Sequence, residues 1–146
     1  AFVSRADFAV LLVRTMDLRG TEGAAFADVA ADAYYAEPIA VLRGMGIAAG
    51  AGNNEFRPQD PITRQDMMVL IYRALQTANR AVSASAEALN GFMDADNVAG
   101  YARDSVAGLI HAGLVQGSDR KIRPAAWATR AEAAVLLHRL YNYIYP

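Results

Sequence analysis

Residues 62–75 read ITRQDMMVLIYRAL. Thr63, followed three residues later by Asp66 and then an apolar run, has the form of a capping box, in which hydroxyl and carboxylate each satisfy an unpaired backbone donor at a helix start. Met67, Leu70, Ile71, Ala74 and Leu75 then recur at i, i+3, i+4, i+7 and i+8, which is one face of an α-helix. This puts Arg64 in the first turn. A cation there opposes the positive end of the helix dipole by about 0.3–1 kcal/mol, so the arginine needs a reason outside the helix.

The same stretch occurs three times without a gap. VSRADFAVLLVRTM runs from Val3 and ATRAEAAVLLHRLY from Ala128. Arg5, Arg64 and Arg130 share one spacing, 59 and then 66 residues, with Arg14, Arg73 and Arg139. Self-similarity of this kind marks a repeat protein. The expected core faces are Phe8, Leu11, Leu12 and Met16 in the first copy and Ala133, Leu136, Leu137, Leu140 and Tyr141 in the last. Arg14, Arg73 and Arg139 fall near helix ends, where a cation suits the dipole.

A second block precedes two of these helices: FADVAADAYYAEPIAVLRGMGIAAG from Phe26 and FMDADNVAGYARDSVAGLIHAGLVQG from Phe92. Phe26 matches Phe92, Asp28 matches Asp94, Tyr35 matches Tyr101, Leu42 matches Leu109, Gly46 matches Gly113 and Gly50 matches Gly117. Each block reads as a loop and then a short helix, with Pro38 tolerable in a first turn. Gly46 and Gly113, each followed by an aliphatic residue, read as left-handed caps. Turns follow, leading to Phe56 or Ile122 as a core plug before Pro58 or Pro124. Residues 77–91, rich in alanine, serine and polar groups, read as a linker or an irregular extra helix.

A chain of 146 residues with 54% hydrophobic residues can bury a real core. Its net charge of -1 gives no basic face for nucleic acid. No apolar run approaches the roughly 20 residues of a spanning helix, so membrane insertion is not expected. No signal-peptide pattern opens the chain, which reads as a mature or excised segment. The absence of cysteine rules out disulfides, thiol catalysis and thiolate metal sites.

The order Phe-x-Asp, an aromatic-Ala step, a short helix ending in Gly-(Ile/Leu), a Gly-rich turn, (Phe/Ile)-x-Pro and Thr-Arg-x-Asp/Glu closely resembles the S-layer homology domain. The resemblance spans the second half of a first repeat at residues 1–18, a second repeat at 26–76 and a third at 92–142. It implies an all-α fold of tandem helix-loop-helix repeats around a pseudo-threefold axis. It also implies a non-catalytic module, without cofactor or metal, that anchors surface-layer proteins or extracellular enzymes to the Gram-positive cell wall. The implied partner is a secondary cell-wall polysaccharide bearing an acidic sugar, often pyruvate-ketal N-acetylmannosamine, recognised by the repeat arginine. Where the family usually has Trp, this chain has Tyr35 and Tyr101, and the front half of a first repeat does not appear. That half leaves room for self-association or swapping.

The ligand-binding candidates are therefore Arg5, Arg64, Arg130, Asp28, Asp94, Tyr35, Tyr101, Gly50 and Gly117. An arginine fork can grip a carboxylate through two charge-assisted bonds, and unpaired amides at a helix start add to an anion site. If each groove joins an arginine helix to the following front loop, Arg5 works with Asp28 and Tyr35, and Arg64 with Asp94 and Tyr101. Arg130 then lacks its loop. Asp28 and Asp94 fit either sugar contact or a cap of the front helix, the tyrosines either stacking or core packing, and the glycines either backbone approach or a plain turn. Ser4, Asp7, Thr63, Asp66, Thr129 and Glu132 are assigned to the caps. Trp127 fits packing or a groove wall, and His111 and His138 have no cluster at metal-ligand spacing. The competing functions are a helical protein-protein scaffold and a glycan-processing enzyme, although no catalytic motif is present.

Overall fold

Ser4, Thr63 and Thr129 each hold the start of a helix. In a computed structural model describing all 146 residues, their hydroxyls accept the amides of Asp7, Asp66 and Glu132. Five helices form: α1 (Arg5–Met16), α2 (Ala36–Gly44), α3 (Arg64–Thr77), α4 (Arg103–His111) and α5 (Arg130–Ile144). The only other helical segments are short 3-10 turns, and no strand forms, so the fold is all-α. No helix is long and apolar enough to cross a membrane.

The chain divides into two compact units. Ala1–Ile62 with Thr129–Pro146 contains α1, α2 and α5, and α1 packs on both of the others. Phe8, Leu12, Ile39, Leu42, Ile47, Phe56 and Leu140 are buried there. Thr63–Ala128 contains α3 packed on α4 around Met67, Ile71, Leu75, Val106, Leu109 and Ile122. Fully burying each large aliphatic side chain stabilises by about 1.5–3 kcal/mol, so these two clusters dominate folding.

Gly46 and Gly113 close α2 and α4 as expected. The amides of Gly46 and Ile47 return to the carbonyls of Arg43 and Leu42, and those of Gly113 and Leu114 to Ile110 and Leu109. Positive φ values of 75° and 78° make the turn possible, and the following Ile47 and Leu114 are buried, completing a Schellman motif.

Two of the expected core positions are not core. Leu11 is 38% exposed and Tyr141 51% exposed, because each lies on a helix edge that its neighbours do not reach. In the stretch expected as a linker or an irregular extra helix, Ala86–Leu89 forms a 3-10 turn against α4 and buries Leu89.

Candidate functional site

The plug residues Phe56 and Ile122 organise everything around them. Asp28 accepts the amides of Phe56 and Arg57, one on each carboxylate oxygen, both at 2.8 Å. Asp94 does the same for Ile122 and Arg123, again at 2.8 Å. Arg57 and Arg123 are left-handed, with φ of 58° and 53°, which turns the chain sharply just past each plug. From the other side, Arg5 donates through Nε to the Phe56 carbonyl and Arg64 to that of Ile122, both at 2.8 Å. Each plug is thus held by an aspartate at its amide and an arginine at its carbonyl.

This corrects one role for Asp28 and Asp94. Neither caps a front helix: the residues at the N-caps of α2 and α4 are Tyr35 and Ala102, and no side chain makes a cap bond there. Burial of the Asp28 carboxyl acts to raise its pKa, but amide bonds from Phe56, Arg57 and its own backbone, with the Arg57 charge, outweigh burial and lower it. Asp94 is lowered in the same way: burial raises, and the Ile122, Arg123 and own-backbone bonds, with the Lys121 charge, prevail.

The amides at the arginine-helix starts are not left open as an anion site. Arg5 and Ala6 donate to the carbonyls of Asp60 and Pro58, and Arg64 and Gln65 to those of Ala126 and Pro124. Arg130 donates to Ala1 at 2.9 Å. The arginine side chains at these starts are held as well. Arg5 and Arg64 are half-buried, each with a guanidinium plane set by its Nε bond. Arg130 is 63% exposed and pairs with Asp7 at 3.6 Å.

The cap acids divide. Glu132 returns its carboxylate to the Thr129 amide at 2.9 Å, completing a capping box. Asp7 instead takes the hydroxyl of Tyr34, and Asp66 that of Tyr101. The bond to Asp7 raises the Tyr34 pKa, as phenolate would face carboxylate. Tyr34, not Tyr35, is therefore the counterpart of Tyr101. Both are largely exposed, at 70% and 61%, whereas Tyr35 is buried, receives the Gln59 amide on its hydroxyl at 3.3 Å, and occupies the place of Ala102. The signal was in the spacing: Asp28 and Asp94 are 66 residues apart but Leu42 and Leu109 are 67 apart. One residue is inserted between them, ahead of the tyrosines, which moves the counterpart of Tyr101 from Tyr35 to Tyr34.

Gly50 and Gly117 sit against the front aromatic. A Cβ on Gly50 would come within 2.6 Å of the Phe26 ring and 2.8 Å of the Glu55 carbonyl; on Gly117, within 2.6 Å of Phe92 and 2.7 Å of Lys121. Their turns need glycine on structural grounds. Gln65 was missed by sequence reasoning: it is buried, and its side-chain oxygen accepts the Ala99 amide at 3.0 Å. Trp127 is 49% exposed and pairs with Thr63 through an isolated backbone bridge.

The sequence model of the S-layer homology domain matches residues 25–68 and 91–134. Among curated proteins, an amylopullulanase of Thermoanaerobacterium thermosulfurigenes is 32% identical over 140 residues, 94% of this chain and 7% of that protein. The exoglucanase XynX of Acetivibrio thermocellus is 30% identical over 142 residues, 94% of this chain and 13% of that protein. The surface-layer 125 kDa protein of Lysinibacillus sphaericus is 28% identical over 141 residues, 94% of this chain and 12% of that protein. The chain thus spans a small fraction of each relative.

Proposed function

Because the chain belongs to the S-layer homology domain family, we propose that it is a non-catalytic anchoring module, binding an acidic cell-wall polysaccharide and holding a larger surface protein or extracellular enzyme to the wall. The relatives support attachment over catalysis. Two are named for different polysaccharide-cleaving activities and one for a surface layer, and a segment shared among such different proteins serves what they have in common.

The observation that carries the acidic-sugar reading is the repeated hold on Arg5 and Arg64. A guanidinium whose plane is set by an Nε bond to a fixed carbonyl is pre-ordered for a planar carboxylate, and bidentate recognition depends on such a plane. Less freedom is then lost on binding. A pyruvate ketal on N-acetylmannosamine supplies that carboxylate, next to an apolar ring face that the exposed Tyr34 or Tyr101 can cover. Asp28 and Asp94 act by positioning the plug, and Gly50 and Gly117 by shaping its turn. Arg130 offers a third, less ordered fork.

Titration calorimetry with a saccharide ending in pyruvate-ketal N-acetylmannosamine tests the reading. Replacing Arg64 or Arg5 with alanine is expected to weaken binding on the order of tenfold to a hundredfold, the equivalent of one charge-assisted bond. The polymer's chain length should stay unchanged on incubation. Equal affinity for the same saccharide without its ketal would refute the acidic-sugar assignment.

A further inference from the structure

The segment ahead of the first front block is fixed along α2. The Gly23 amide donates to the Ala40 carbonyl at 2.8 Å, and Arg43 donates to the Ala24 carbonyl at 3.2 Å while lying over the Phe26 ring, 3.8 Å from its centre. A Cβ on Gly44 would come within 1.8 Å of the Thr21 carbonyl, so helix and segment meet backbone to backbone. Beside this seam lies a cleft of about 370 Å³, within the roughly 300–1,000 Å³ of small-ligand sites. Its lining includes the buried Phe26 and Ile39 and the half-buried Val29 and Ala40. Glu22 from the segment and Glu37 from the first turn of α2 also line it, and both are exposed. Neither carboxylate is engaged in a hydrogen bond or ion pair within the chain.

The second unit covers the corresponding part of α4 with its own chain. Segment 78–91 is longer than its counterpart 17–25, and its 3-10 turn packs on α4 and buries Leu89, three residues ahead of Phe92. Gly23 stands three residues ahead of Phe26 and brings no side chain. Ala107 is 2% exposed, whereas its counterpart Ala40 stays half-buried. α2 thus keeps open a seat whose counterpart takes an aliphatic side chain, and adds two carboxylates to it.

We propose that this cleft binds a primary ammonium carried on an unbranched aliphatic stem, as in a lysine side chain or a free diamine. The stem lies along Phe26, Val29 and Ala40, as long amphipathic side chains lie on apolar surface with their charged ends in water. An ammonium is a compact charge with three rotatable donors, so it can meet Glu22 and Glu37 from the two walls at once, where an anion would be repelled. Exposed ion pairs contribute little each, so binding is expected in the millimolar range and falls with added salt. Arg5, Arg64, Arg130 and Tyr34 do not line the cleft, which makes it separate from the acidic-sugar site and opposite to it in charge preference.

Nuclear magnetic resonance titration of the isotope-labelled chain tests this with two probes, Nα-acetyl-lysine methylamide and cadaverine. Both should shift the amides of Gly23, Ala24, Glu37 and Ala40 and reach saturation, and the tighter of the two identifies the source as a peptide lysine or a free diamine. Nα-acetyl-norleucine methylamide, which keeps the stem and lacks the ammonium, should bind more weakly by on the order of tenfold, the equivalent of two exposed ion pairs. The double variant Glu22→Gln, Glu37→Gln, altered only at exposed positions, should lose a similar factor for both amines and bind the acidic saccharide as the parent does. Norleucine binding as tightly as lysine, amine affinity unchanged in the double variant, or no shift at the cleft with either amine would each overturn the proposal. A failure of saccharide binding with amine binding intact would count against the sugar reading alone.

Discussion

The Arg5 guanidinium donates through Nε to the Phe56 carbonyl at 2.8 Å and lies over the ring of the same residue, 4.9 Å from its centre. With Asp28 on the amide of Phe56, this one residue is pinned at its amide, its carbonyl and its side chain. The arginine at the helix start, unfavourable to the dipole, is thereby tied into the loop that follows. Ile122 is pinned by Arg64 and Asp94 in the same way, without an aromatic ring.

Arg64→Ala should therefore lower stability. Relief at the dipole contributes about 0.3–1 kcal/mol, and removing a charge-assisted bond costs about 1.5–3 kcal/mol, with the half-exposed setting reducing the larger figure. A net loss of about 1 kcal/mol in urea unfolding is expected. Lysine should not restore it, having no planar Nε–H to aim at the Ile122 carbonyl. A variant as stable as the parent would mean that the Nε bond contributes nothing.

Asp28→Asn leaves one carbonyl oxygen facing two amide donors and should cost about 2 kcal/mol, with Asp94→Asn similar. The acid limb follows from the same bonds. Both carboxyls are held below the ordinary 3.8 in the folded chain, so the unfolded chain binds more protons between the lowered values and 3.8. Their contribution is complete above the unfolded value and disappears as pH falls through the folded one. Urea midpoints measured from neutral pH to about pH 2 should fall on acidification, and more shallowly in the double asparagine variant. Parallel curves for the two proteins would contradict the clamp.

Gly46 and Gly50 separate two reasons for glycine. Gly46 has a φ of 75° and open space around its Cβ position, so Gly46→Ala should cost only the left-handed strain, about 1–2 kcal/mol. Gly50 adds a clash with the Phe26 ring and the Glu55 carbonyl at 2.6 and 2.8 Å. Overpacking of this kind adds roughly 1–3 kcal/mol, so Gly50→Ala should be clearly the worse of the two in thermal unfolding.

Much of this was legible because repeats expose their own alignment. The capping hydroxyls, the glycine caps and the two plugs each occur at matching positions, and side-chain type alone identifies them. The partners of the arginine-helix amides were not legible, because they are the carbonyls of Asp60, Pro58, Ala126, Pro124 and Ala1, and any residue carries a carbonyl. The clamps of Asp28 and Asp94 were half-visible: the matching aspartates showed, but their partners are amides 28 and 29 residues away. The exchange of Tyr34 for Tyr35 turned on a one-residue insertion that the shift in spacing betrays only when both sides of it are counted.

That exchange makes opposite predictions for two adjacent tyrosines. Tyr35 is buried and stands edge-on to Tyr34, with ring centres 5.0 Å apart. Tyr35→Ala removes a large core side chain and should cost about 3–5 kcal/mol, the range for aromatic truncation in a packed interior. Tyr34 is 70% exposed and anchored chiefly through its bond to Asp7, so Tyr34→Ala should cost no more than about 1 kcal/mol. Binding of the acidic saccharide should show the reverse order at temperatures where both variants are folded. Tyr34→Ala loses the ring face and the group that steadies Asp7, the ion-pair partner of Arg130, and should weaken binding. Tyr35→Ala should leave affinity near the parent value once the folded fraction is accounted for. A Tyr34→Ala variant that binds as tightly as the parent would remove the aromatic contact from the proposed site.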